Sequence, residues 1–531
     1  MPPPRHLRHR LVPALCCLAL ALGGCMIGPD FVRPDAPLAD GWIESGDPGI
    51  DASRVDYADW WQVFDDPVLT RLIGTAYRQN LTLRMAGVRV LEARARLGLA
   101  IGELYPQQQA LTAATTYNKI PLAVPYDLIN DTFWQSALGA QAGWEVDLWG
   151  KIRRGVQSAD DSFLASVAAY DDVLVTLLGD VASTYVQIRT LEKRLAIAHE
   201  NVDRQRQALR IATNRWRGGV VSKRDVYQAE NVLGATEAAI PAFAQELRQA
   251  KNALAVLLGV PPGEADALLE GGNGIPVAPA QAAVGIPAEL LRRRPDIRQA
   301  ELTAAAQSAQ IGVAKADLLP AFRLVGNVAT VSSDIGRGSL GDLFTGKSLA
   351  YTAGPTVQWN VLNYGQITNQ VRVQDARLQE LLIAYQNQVL EAQEEVENGL
   401  TVFLESQRQA QALQRSADAA LGALTVAINE YKEGTADFTT VLTAEQNLFK
   451  AQDDLAQAQG AIPLGLIATY RALGGGWQIR EGEPFVPQET RDEMAERTNW
   501  GTLLTPELLA PEAPGLPGLE DERPPVGLPE W

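Results

Sequence analysis

The 531-residue chain is short of the side chains on which most active sites depend. Its three cysteines, Cys16, Cys17 and Cys25, all fall in the first 25 residues, and so do two of its three histidines, His6 and His9. Beyond that point there is no thiol and a single imidazole, His199. A disulfide framework, a Cys/His metal site and a His-based triad are thereby excluded. His199 follows Leu195 by four residues in a helical stretch and reads as a solvated or seam-edge side chain. Also missing is any apolar run of about 18 residues downstream of the N-terminus, so no helix is expected to span a bilayer. If the chain crosses a membrane, strands must do it. Basic charge is in deficit as well: 46 Lys and Arg stand against 63 Asp and Glu, a net of −17. That balance argues against a nucleic-acid partner. An acidic wall around a water-filled path would instead favour cations.

The N-terminus is a targeting segment. Arg5, Arg8 and Arg10 precede an apolar stretch, Leu11 to Leu22, and Leu22-Gly23-Gly24-Cys25 follows. This pattern resembles a bacterial lipobox. It predicts a lipoprotein signal peptide over 1–24 and a covalent acyl and diacylglycerol lipid on Cys25, the first mature residue. The alternative is an ordinary signal peptide with a chance cysteine. No other cofactor is expected.

Proline is absent from Lys151 to Arg217, and that absence marks the longest element. Val167, Leu174, Val181, Ile188, Leu195, Val202, Leu209 and Trp216 recur every seventh residue, as in a helix packed along a partner. At about 1.5 Å per residue such a helix is roughly 100 Å long. The residues three positions on, among them Thr184, Ala198, Gln205 and Ala212, are small or polar. They predict a shallow seam shared with more than one neighbour.

Around this rod the chain divides as follows. Residues 25–66 read as an extended arm whose Trp42, Trp60 and Trp61 need a surface to pack on. Residues 67–103 are helical, with Pro106 beyond. Strands are expected over 107–118 and 133–148. In the second, Trp134, Leu138, Ala140, Ala142, Trp144 and Val146 share one face, while Gln135, Gln141 and Glu145 share the other. That alternation fits a strand between lipid and water, or else a half-buried strand of a soluble sheet. After the long helix, Ser222 and Asp225 suggest a capping box, and a helix returns over 222–258 with a bend at Pro241. A linker over 259–287 closes a first unit, 67–258.

The pattern then repeats. Trp144 pairs with Trp359, Gly150 with Gly365, Gly219 with Gly434 and Ala229-Glu230 with Ala444-Glu445, each at an offset of 215. A duplication follows. The second unit, 288–473, has strands over 321–331 and 350–362 and a long helix over 363–432. Its heptad runs Leu382, Val389, Val396, Phe403, Ala410, Ala417, Leu424, Tyr431. Residues 474–531 form an acidic, proline-rich tail, expected at the equator in part and disordered in part.

Four amphipathic strands cannot close a barrel in lipid, and open edges are forbidden there. Two chains would supply eight strands and three would supply twelve. The fold class is therefore mainly α with a membrane β-barrel, internally duplicated and oligomeric. At this point the residues reach a family. The chain resembles the TolC/OprM-type outer-membrane efflux channels, in particular the NodT-like lipoprotein branch. The likeness covers about Gly28 to Trp477. It rests on Gly28-Pro-Asp-Phe-Val-Arg-Pro34, Trp60-Trp61 before Phe64-Asp-Asp-Pro67, Trp144-Glu-Val-Asp-Leu-Trp-Gly150, Arg292-Arg-Arg-Pro-Asp-Ile297, Tyr431-Lys-Glu-Gly434 through Val441-Leu442, and Leu473-Gly-Gly-Gly-Trp477.

The resemblance implies a homotrimer with one twelve-stranded barrel, continuous with an α-helical barrel in the periplasm. It implies no catalysis. The partners it implies are outer-membrane lipid, a periplasmic adaptor and an inner-membrane transporter of the RND type. The cargo would be drugs or other toxic small molecules. Carried over by position, the periplasmic gate falls at Thr440 and Thr443, with Asp437 just before; Asp437 reads equally as a helix N-cap. Family members often place an aspartate at those threonine positions, and this chain has none there. The hairpin tips, Gly219, Val220, Val221 and Ser222 in one unit and Gly434 and Thr435 in the other, would meet the adaptor, or else are ordinary turns. Two other functions stay open: the duct of a type I protein-secretion system, and a lipid-anchored structural coiled coil with no pore.

Overall fold

The structure is a computed structural model that describes residues 26–51, 57–121, 131–272, 274–285, 293–336 and 338–505. The expectations for Cys25, for the signal segment, for most of the loop between the first two strands and for the tail after residue 505 fall outside the described residues.

Eight helices and four strands carry the fold: α1 (Pro67–Gln79), α2 (Leu81–Gly102), β1 (Gln108–Lys119), β2 (Thr132–Val146), α3 (Lys151–Arg217), α4 (Lys223–Leu258), α5 (Pro295–Ala316), β3 (Ala321–Ser333), β4 (Leu349–Gln358), α6 (Gln366–Glu433), α7 (Phe438–Ala472) and α8 (Gln488–Arg497). The sequence suggested one helix over 67–103, but Asn80 divides it. The Asn80 side chain accepts from Leu83 N and caps α2. Asp66 caps α1 in the same way, accepting from Val68 N and Leu69 N ahead of a proline at N1. The capping box at Ser222 does not form: the Ser222 side chain makes no capping bond, and Asp225 is turned inward toward Tyr431. Pro241 does not end α4, which runs on to Leu258. The second strand stops at Val146, because Asp147 turns away to accept from Ile152 N and Arg153 N at the start of α3. The fourth stops at Gln358, leaving Trp359 and Val361 beyond its end.

The duplication extends to individual bonds. Trp144 Nε1 donates to Leu104 O at 3.1 Å, and Trp359 Nε1 to Leu318 O at 3.0 Å. Gly150 and Gly365 both precede their long helices in the left-handed conformation. Val220 N bonds Arg215 O and Thr435 N bonds Glu430 O, so the two hairpins turn alike.

The four strands form one antiparallel sheet in the order β1-β2-β3-β4. Its register aligns the sequence alternation across all four. Leu111, Ala140, Val328 and Tyr351 lie in one row, and Ala110, Gln141, Asn327 and Thr352 lie in the next. One face is thus mainly apolar, crossed by a row of Thr115, Ser136 and Ser332, with Trp134 beside Tyr117 at one end and Trp144 beside Leu324 toward the other. The opposite face is polar and carries the Glu145–Arg323 ion pair at 2.8 Å. Both outer strands, β1 and β4, have unpaired edges within the single chain.

Below the sheet, α3 and α6 run 67 and 68 residues, about 100 Å each. In the upper half α3 packs on α2 and α5, and in the lower half on α4 and α7; α6 packs on α5 and then α7. The short helices stack end to end between the long ones. Gly259, after α4, has φ 69° and lies against the Gln79 carbonyl before α2. Its counterpart Gly474, after α7, has φ 71° and lies against Arg294 before α5. Only glycine combines that backbone with so close an approach.

The main core sits at this waist. Val167, Leu174, Val181 and Ile188 of the heptad are fully buried, and so are Leu178, Tyr185 and Val186 on other sides of α3. An 18-residue window of α3 is apolar enough to cross a membrane by composition, but over half of it is buried among these neighbours. Toward the lower end the heptad loosens, and Trp216 is exposed. Trp42, Trp60 and Trp61 close the waist from outside, Trp60 tilting against Tyr470 at 5.9 Å. Trp477, Phe485, Val486 and Met494 complete the belt.

Candidate functional site

Three regions carry the residues singled out in the sequence. The first is the sheet–helix junction. Ile27 N donates to Trp149 O at 3.1 Å. The Arg154 guanidinium, itself buried, bonds Asp30 at 2.7 Å and the Ile27 carbonyl at 3.3 Å. Arg33 grips Glu301 of α5 with two nitrogens. From there the arm runs down along α6, with Gln393 and Glu397 receiving Ala39 N and Ile43 N. The chain just after Cys25 is therefore held at the rim where the apolar face of the sheet ends.

The second region is the lower end, where both hairpins turn. Gly219, Val220, Ser222, Gly434 and Thr435 are exposed, and Val221 is half-buried. Arg215 joins the two hairpins: its guanidinium donates to the Tyr431 carbonyl and lies over the Tyr431 ring at 4.5 Å. Lys223 Nζ lies over Trp216 at 5.7 Å and over Tyr227 at 4.9 Å. The α3–α4 tip carries Arg210, Arg215, Arg217, Lys223 and Arg224 against Asp225. The α6–α7 tip carries Glu430, Glu433 and Asp437 against Lys432. In an acidic protein the first hairpin is locally basic and the second acidic.

The structure brings Asp437, Thr440 and Thr443 together. All three are exposed on the α6–α7 pair and line one groove of about 820 Å³ with Ala423, Asn447 and Lys450. Asp437 occupies the N-cap position of α7, but its side chain makes no capping bond. The helix start does not consume the carboxylate. On the other side of α7, Glu445 is buried with Oε1 unpaired, and on α3 Gln205 is buried with both amide atoms unpaired. Sequence reasoning missed both: Glu445 drew notice only as the counterpart of Glu230, and Gln205 only as a polar seam residue. A charged residue at a core position of α7 was the available signal.

The third region is the waist. Arg294 holds Asp296 through two bonds of 3.0 and 2.8 Å and Glu395 at 2.7 Å, fixing the start of α5 to α6. A niche of about 480 Å³ beside it is lined by Asp172, Gln299, Thr303, Gln388 and Arg471. Burial, with Asp296 nearby, pushes the Asp172 carboxyl up to about 6, against the pull of Arg294 and Arg471. Among the described residues no cluster of His, Cys, Asp and Glu has the geometry to hold a metal ion.

The sequence matches the family model described as outer membrane efflux protein, over residues 72–260 and 286–475. Nodulation protein T of Rhizobium leguminosarum bv. trifolii is 29% identical over 440 residues, 83% of this chain and 92% of that protein. The pyoverdine export outer membrane protein OpmQ of Pseudomonas putida is 30% identical over 489 residues, 90% of this chain and 98% of that protein. Among solved structures, the outer-membrane channel OprN aligns with a TM-score of 0.79 at 32% identity, covering 86% of this chain and all of that one.

Proposed function

The chain belongs to the outer membrane efflux protein family, and from that membership we propose that it is a passive export duct for small molecules. It is an outer-membrane channel that extends into the periplasm and works as a homotrimer with a periplasmic adaptor and an inner-membrane pump. The observation that carries this reading is the continuity of two features. A sheet apolar on one face and polar on the other, with both edges open, leads directly into helices about 100 Å long. Lipid tolerates no open edge. Three copies supply twelve strands, close the sheet and leave its polar face around water. The helices prolong that bore.

Finer assignments extend the proposal. Cys25 carries the lipid, a reading supported by the bond that fixes Ile27 to Trp149 at the end of the sheet. Thr440 and Thr443, with Asp437, line the periplasmic constriction. The hairpin tips receive the adaptor, and the basic α3–α4 tip, with Lys223 held between Trp216 and Tyr227, calls for carboxylates on the adaptor side. The cargo is a small molecule that comes from an RND-type pump. Purified trimer in planar bilayers tests the reading. Discrete conductance steps are expected, larger for potassium than for chloride because the chain is acidic. A trimer that inserts but passes no current would overturn it.

A further inference from the structure

We propose that Glu445 and Gln205 form a proton-operated clasp between the two hairpins, holding the periplasmic end closed when Glu445 is neutral and loosening it when Glu445 is ionised. The effect on transport rests on the reading of that end as the constriction; the clasp itself does not.

Helix register supplies the geometry. On α7, Val441, Glu445, Leu448 and Gln452 fall on one face at spacings of four, three and four. Gln452 accepts from Asn201 Nδ2 of α3 at 2.8 Å, so this face is turned to α3. Arg194–Asp453 at 2.7 Å and Lys193–Gln459 at 2.5 Å confirm that the two helices run antiparallel. The facing stripe of α3 is Asn201, Gln205, Ala208 and Ala212, all buried. Stepping down from Asn201–Gln452, Gln205 falls beside Leu448 and Ala208 beside Glu445. Gln205 then lies about 4.5 Å along the axis from the level of Glu445, within reach of its side chain.

Both residues are only 2% exposed. Glu445 Oε1 and both Gln205 amide atoms lack hydrogen-bond partners. Buried polar groups left unmade in this way are rare, and each calls for an explanation. The repeat shows that they are not a by-product of the fold. The counterpart of Glu445 is Glu230, exposed on α4, and the counterpart of Gln205 is Ala420. Among the described residues the polar pair occurs only where the α3–α4 hairpin meets the α6–α7 hairpin.

The charged surroundings are sparse. On α3 the neighbouring Arg204 bonds Glu200 through Nη2, while its Nη1 is buried without a partner. The buried stripe of α6 here is Leu424, Ala427 and Tyr431, with a phenol as its only titratable group. Arg215 lies over that ring, and Asp225 of α4 is turned toward the same phenol. Among the described residues no cation pairs with Glu445, and burial alone pushes its carboxyl up to about 7.

A neutral Glu445 can donate its O–H to Gln205 Oε1 while its carbonyl accepts from Gln205 Nε2, so both side chains are satisfied and the seam is tight. Loss of that proton to solvent leaves a carboxylate with no counter-charge in a dry seam, and it gains by drawing in water. The closed seam binds the proton more tightly than an open, hydrated one. Closing is therefore favoured in acid and weakens as pH rises from the usual carboxylate range through about 7.

The test uses lipid-reconstituted trimers with one subunit spin-labelled at Arg204→Cys on α3 and Gln446→Cys on α7. The label separation should be larger at pH 8 than at pH 5, and Glu445→Gln should give the pH 5 separation at both. Conductance should fall at least about tenfold from pH 8 to pH 5 and stay low at both in Glu445→Gln. Glu230→Gln should respond as the unaltered protein does. If Glu445→Gln does not assemble, Gln205→Leu, which removes the acceptor, should abolish the change in separation. A separation that ignores pH, or one whose pH response survives in Glu445→Gln or Gln205→Leu, overturns the clasp. A separation that responds while conductance does not leaves the clasp standing and overturns the placement of the constriction.

Discussion

Arg480 shows how single residues hold the waist. It is the largest fully buried side chain, and its guanidinium grips the equally buried carboxylate of Asp171 through two nitrogens. It also lies over Trp477 and Phe485. The pair pins the belt after α7 to the middle of α3. Removing one partner strands the other charge, so Arg480→Leu should destabilise the protein by about 3–5 kcal/mol. Exchanging both for apolar residues should restore most of it. Thermal unfolding of the detergent-solubilised trimer reads both outcomes. At the other end of the chain, Cys25→Ser should abolish incorporation of labelled palmitate while the trimer still forms; unchanged labelling would remove the lipid from Cys25. The lipobox reading needs only a contiguous pattern. The Asp171–Arg480 pair was not legible, because 309 residues separate its members and nothing local marks either.

Elements obey a periodicity that is local, and so were read more fully. The alternation within each strand was visible, and the register then placed like faces together across all four strands. This separation makes opposite predictions for neighbours in sequence. Val328→Arg puts a charge on the apolar face, at a cost of about 2–4 kcal/mol near the bilayer midplane. It should lower the yield of heat-resistant trimer in outer membranes. Asn327→Arg, one residue away on the polar face, should leave that yield unchanged and reduce cation selectivity in bilayers. Element ends were read less well. The break at Asn80, the early stop at Val146 and the absent box at Ser222 each depend on where one polar side chain points. Asp225 illustrates the reason: as a cap it would serve its own helix, but it is buried and turned toward Tyr431 of another helix.

On the scale of the whole molecule, threefold symmetry multiplies every change near the axis. On the proposed placement of the constriction, Thr440→Trp brings three indoles into it. Export should fail, and drug susceptibility of the host should rise, with trimer yield unaffected. An unaltered export phenotype would move the constriction away from Thr440. The sequence by itself determined the rods and the two-faced strands, because each is a periodicity that a short window of chain enforces on its own side chains, and the duplication, because one offset of 215 residues recurs along the chain. It also determined that one chain is not enough, since four strands cannot close a wall in lipid. Tertiary structure decided what meets what. Glycines 259 and 474 each seat a stacked helix, a tryptophan-rich arm closes the waist, and Asp171 meets Arg480 in the core. Those contacts join residues far apart in sequence, and only the packing of rods against one another sets their register.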